Sequence, residues 1–156
     1  MSTRSQIVIK DSKYGDEQWF YRHSDGYIEG NMPELYKFMT WLHENKIRNN
    51  VEQSAGWLIL IGAEEYGYTW DKNMNERKKD TITEPENDPI GGWKCGAYEI
   101  CTCGELHSDV EWLYIIDLKD NSIEITEVYS NKTKRFTYDE LETYSKDWER
   151  LDKECF

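Results

Sequence analysis

The segment YRHSDGYIEG, Tyr21 to Gly30, holds an arginine, a histidine, an aspartate, two tyrosines and two glycines in ten residues. Arg22 and His23 are the right types to donate hydrogen bonds to an anion, because a guanidinium presents two parallel N–H groups to a phosphate or carboxylate. Tyr27 adds an aromatic face for stacking, and Tyr21 sits one residue before the arginine. Asp25-Gly26 is turn chemistry, since aspartate tolerates and glycine favours positive φ. The same residues therefore support a plainer expectation, an aspartate shaping its own turn with an arginine paired to it. Strand alternation puts Trp19, Tyr21 and His23 on one face and Phe20 and Arg22 on the other. It brings Arg22 or His23 out at the strand end. Arg4, just before the first strand, joins this group if the two strands pair as a hairpin.

A second cluster is CGAYEICTCGELH, with Cys95, Cys101 and Cys103 upstream of His107. Thiolates and imidazole are zinc ligands. A C-x-C pair on a strand shares one face, however, whereas zinc sites favour C-x₂₋₄-C on a knuckle turn. Ordinary reduced thiols explain the spacing better, so no metal and no cofactor is expected. Catalytic motifs are missing as well. There is no G-x-S-x-G, no Walker loop, no dinucleotide fingerprint and no H-E-x-x-H. Only three histidines occur, and no catalytic residue is assigned. The expected ligand-binding set is Arg4, Tyr21, Arg22, His23, Asp25 and Tyr27.

These residues need elements to carry them. SQIVIK (Ser5–Lys10) and QWFYRH read as two strands of an opening hairpin joined by DSKYGDE. Pro33 marks a helix start, with Leu35, Phe38, Met39 and Leu42 at helical spacing. VEQSAGWLILIGAEEYG reads as a buried helix, its small residues Ala55, Gly56, Gly62 and Ala63 permitting close packing. Residues 70–92 read as a mobile loop, punctuated by Pro85, Pro89 and Gly91-Gly92. Strands follow over Lys94–Thr102, Val110–Leu118 and Ser122–Tyr129, and an amphipathic helix over Tyr138–Leu151 closes the chain. The order ββααβββα predicts a single α+β domain over 1–156, an antiparallel sheet with helices on one face.

Composition narrows the function classes. Acidic residues outnumber basic ones 31 to 19, for a net charge of −12. Such a field repels phosphate backbones and argues against direct nucleic-acid binding. Aromatics make up 14% of the chain, too many for a disordered acidic tail. No apolar run approaches the roughly 18–20 residues of a membrane span, and the start lacks signal-peptide features. A cytoplasmic protein without membrane contact is expected, with a homo-oligomer left open.

With these residues in view, STRSQIVI, WFYRHSDGYIEG and LYKFM resemble a family of small, mostly uncharacterised phage and bacterial proteins. Their pattern is an R-S-x-I start and a Y-R-H-x-D-G-Y-P-x-G segment. The likeness falls on Arg4, Ser5, Ile7, Tyr21, Arg22, His23, Asp25, Gly26, Tyr27 and Gly30, with Ile28 in place of the proline. It implies an α+β domain and a mobile-element origin. By analogy it implies a counter-defence accessory protein of the host-cell cytoplasm. The leading expectation is non-enzymatic sequestration of a small anionic or nucleotide-like ligand. The alternatives are an acidic, nucleic-acid-mimicking inhibitor of a host nuclease or other defence protein, contacting it through the C-terminal helix and Glu84–Asp88, and a small hydrolase using His23 and Asp25.

Overall fold

The computed structural model describes residues 2–65, 70–71, 76–77 and 96–156. In chain order the elements are β1 (Ser5–Asp11), β2 (Asp16–Arg22), α1 (Ile28–His43), α2 (Val51–Glu65), β3 (Trp70–Asp71), β4 (Glu76–Arg77), β5 (Glu99–Cys101), β6 (Trp112–Asp117), β7 (Ser122–Glu127), β8 (Lys132–Thr137), α3 (Tyr138–Glu142) and α4 (Trp148–Cys155). Six strands form one sheet in the order β5-β2-β1-β6-β7-β8, and β3 pairs with β4 separately. The α+β domain expected from the sequence is the one that forms. All neighbours in the large sheet run antiparallel except β1 and β6, which run parallel.

One face of the sheet carries the core. Ile7 and Ile9 of β1, Phe20 of β2, Tyr114 and Ile116 of β6, and Ile123 and Ile125 of β7 pack with helix residues in a single apolar cluster. From α1 come Ile28, Met32, Leu35, Phe38 and Met39, all fully buried. The stripe thus begins at Ile28, and so does the helix, with Tyr27 extended at its N-cap. Pro33 lies inside α1 and does not open it, because burial of Ile28 and Met32 outweighs the one backbone hydrogen bond a proline removes. Gly62 of α2 permits a close approach. A Cβ there would stand 2.6 Å from the Tyr98 ring.

Two further differences follow from local chemistry. The C-terminal helix divides into α3 and α4. Thr137 caps the first through a reciprocal capping box with Glu140, and Asp147 caps the second by accepting from the Arg150 amide. β8 was not expected. It is an edge strand with only Phe136 buried, so Lys132, Lys134 and Arg135 hide its strand pattern. Charged side chains are the usual protection of such an edge. Most of the loop expected over 70–92, including Glu84–Asp88, lies outside the described residues, as does Cys95.

Candidate functional site

Central strand β1 is buried on both faces. Its inner residues enter the core; its outer face carries Gln6, which pairs in register with Tyr21 of β2 and Leu113 of β6. Tyr21 in turn pairs with Glu99 of β5, and Trp19 with Cys101. Directly paired residues share a sheet face, so Gln6, Tyr21, Glu99 and Cys101 all lie opposite the helices. The chain after β5 folds back over this face. The fully buried Gln6 amide holds it there: Nε2 donates to the Glu105 carbonyl at 2.9 Å and to Cys101 Sγ at 3.6 Å, and Oε1 accepts from the His107 amide at 2.9 Å. Gly104, at φ +64°, supplies the bend.

Tyr21 becomes the hub of what gathers here. Its hydroxyl lies 2.8 Å from His23 Nδ1, and its ring centroid is 6.0 Å from those of both His23 and His107. Arg4 acts on the same phenol and is itself paired with Asp109 at 3.5 Å. Burial pushes the Tyr21 phenol up from its ordinary value, Arg4 pulls it down, and Asp109 and Glu99 add to the rise. Beside Tyr21 opens a hollow of about 390 Å³ lined by Glu99, Ile100, Cys101, Thr102, Cys103 and His107. Among the described residues, Cys101, Cys103 and His107 form a further tight cluster, with Cys103 Sγ 2.8 Å from His107 Nε2.

Arg22 goes the other way. Its side chain is 2% exposed and meets Glu34, 4% exposed, at 2.6 Å. The guanidinium also donates to the Ser24 carbonyl at 2.7 Å, and to Asn31 Oδ1 and the Tyr98 hydroxyl at 3.2 Å each. Tyr98 donates onward to Asn31 Oδ1 at 3.2 Å, and its phenol is pushed well above its ordinary range, chiefly by burial and then by Glu34. The expectation that Arg22 emerges at the strand end is therefore corrected, as is its pairing with Asp25. Alternation placed Arg22 on the face of Phe20, and that face is the core. A buried ion costs several kcal/mol of lost hydration unless partners replace the water. Here Glu34, Asn31, Tyr98 and a carbonyl replace it.

Asp25 and Tyr27 stay on the turn. Asp25 adopts φ +59° and accepts from the Tyr27 hydroxyl at 3.4 Å. The glycine beside it serves close approach: a Cβ on Gly26 would meet Ser5 Oγ at 2.7 Å and the Thr3 carbonyl at 2.8 Å. Of the six residues expected to bind ligand, Arg4, Tyr21 and His23 come together. Arg22 turns inward, and Asp25 pairs with Tyr27 rather than His23. The residue the sequence reading left out of this group is His107, although its place in a C-x-C-x₃-H run was visible.

No family model matches the chain, and no curated protein or solved structure matches it at a significant level. Among the described residues no helix is long and apolar enough to cross a membrane.

Proposed function

We propose that this chain is a non-enzymatic binding protein, and that its ligand is a small anion of nucleotide character taken at the outer face around Tyr21. One observation carries the reading: a guanidinium and two imidazoles converge on one phenol beside an open hollow. Arg4 and His23 supply donors, while Tyr21 and His107 supply ring faces for a base or sugar. Arg4 is 39% exposed, so an incoming anion competes with Asp109 for it at little cost. An exposed ion pair is worth about 1 kcal/mol or less. The hydrolase reading has less support, because His23 pairs with Tyr21 and Asp25 with Tyr27. The likeness to small phage proteins makes sequestration of a host immune signal the natural biological setting.

Isothermal titration against cyclic nucleotides and ADP-ribose derivatives tests the reading. Saturable binding to at least one is expected, falling at least tenfold in Arg4→Ala and His23→Ala with melting unchanged. Silence across the panel sinks it.

A second reading, an acidic inhibitor of a basic host protein, is favoured by the surface where α4 meets α1. Burial there raises the Glu29 carboxyl above its ordinary value, and Asp152 and Glu149 add to the rise. A host pull-down at two salt concentrations separates the readings, since charge-steered capture weakens with salt.

A further inference from the structure

We propose that Cys101, Cys103 and His107 form a site for a thiophilic transition-metal ion of the zinc class. The proposal shares His107 with the anion reading but rests on a separate observation, the convergence of its Nε2 with two thiol sulfurs, which that reading does not use. The two thiol sulfurs are 3.3 Å apart, and His107 Nε2 lies 2.8 Å from Cys103 Sγ and 3.6 Å from Cys101 Sγ. All three ligand atoms fall within 4.8 Å of one another. Around a tetrahedral ion with Zn–S of about 2.3 Å and Zn–N of about 2.0 Å, ligand atoms stand roughly 3.5–3.8 Å apart. The Cys101 Sγ–His107 Nε2 separation fits its edge, and the sulfur–sulfur separation is about half an ångström short of its own. The third opens by rotation of the exposed Cys103 side chain.

The C-x-C spacing counted against zinc only while both thiols sat on one strand. In the fold β5 ends at Cys101. Cys103 lies beyond it on the bend at Gly104, and the chain then returns His107 toward both sulfurs. The support is built in. Gln6, buried beneath, donates to Cys101 Sγ and accepts from the His107 amide. Amide donors to a thiolate orient the ligand and stabilise its charge. A Cys–His nucleophile pair is the competing use of Cys103 and His107. Convergence of a second thiol on the same imidazole nitrogen favours a shared ion, since a nucleophile needs one thiol and one base. Among the described residues three side chains converge, and a tetrahedral ion takes a fourth ligand besides them.

Cobalt(II) titration of the full chain, purified with a non-chelating reductant, tests the site. One equivalent is expected, with thiolate-to-cobalt charge-transfer bands and the visible bands of a tetrahedral ion. Zinc should displace it, and native mass spectrometry should count one zinc per chain. Cys103→Ser and His107→Ala, whose circular dichroism reports that they fold, should each lose the tetrahedral spectrum. Arg4→Ala and His23→Ala should keep it, so loss of anion binding and loss of metal binding are read separately. Zinc should also slow alkylation of Cys103. Absence of charge-transfer bands overturns the proposal, as does binding that survives both Cys103→Ser and His107→Ala. Rapid alkylation of Cys103 that zinc leaves unchanged overturns it in favour of a nucleophile.

Discussion

Tyr21 and Arg22 are neighbours on β2 and live in opposite chemical worlds. Arg22 points through the sheet to buried partners that include Glu34, Asn31, Tyr98 and the Ser24 carbonyl. Tyr21 points outward to His23, Arg4 and the rim of an open hollow. The inner network joins side chains that are buried in the core. The outer one keeps donors and the Cys103 thiol within reach of solvent. In this segment the most charged side chain is therefore structural, and the less conspicuous residues on the other face have the stronger claim to bind.

The sharpest way to break this contrast is Arg22→Ala. It leaves Glu34 buried without its cation, and removing one member of a buried ion pair costs about 3–5 kcal/mol. Urea or thermal unfolding should show that loss, while replacing both partners with apolar residues of similar size (Arg22→Met with Glu34→Leu) should recover much of it. If Arg22→Ala melts like the parent chain, the guanidinium is not buried and the contrast fails.

A gentler probe is alkaline pH. Burial raises the phenols of Tyr98 and Tyr114 well above their ordinary value near 10. Each stays protonated in the fold at a pH where the unfolded chain has already released its proton, so stability is intact below about pH 10 and falls as pH rises beyond it. Melting temperature against pH should turn down there. Tyr98→Phe and Tyr114→Phe each start from a lower value, having lost a buried hydrogen bond, and should show a shallower decline. An unchanged slope in both variants would place the alkaline transition elsewhere.

The smallest expected effect belongs to the outer face. Tyr21→Phe keeps the half-buried ring and removes only the hydroxyl, whose contact with His23 is exposed, and changes at the surface usually alter stability by about 0.5 kcal/mol or less. Melting should barely move, while the anion binding proposed at His23 and Arg4 should weaken. A large drop in melting temperature would make the outer cluster as structural as the inner one.

Much of this was legible in the chain. The hairpin of β1 and β2, the apolar stripe of α1, the helix at Val51–Glu65 and the strand pair around Asn121 all follow from local periodicity and turn residues. The face of Arg22 was legible too, because alternation set it with Phe20. Which face was the core was not, since both faces of β1 are covered: one by helices, the other by the chain after β5. Strand alternation separates two sets of side chains without saying what will lie over either.

The sequence by itself determined the helix and strand tendencies, the acidic surface and the positions of every thiol and imidazole. Those depend on residues a few places apart. Tertiary structure alone decided that Glu34, twelve residues on, would neutralise Arg22. It decided that β1 would pair in parallel with β6. It also decided that Gln6 would clamp the Cys103–His107 bend a hundred residues away. The reason is physical: a buried charge or amide takes whichever complementary group the packed core brings within about 3 Å, and proximity in space is set by sheet register and helix packing rather than by distance along the chain.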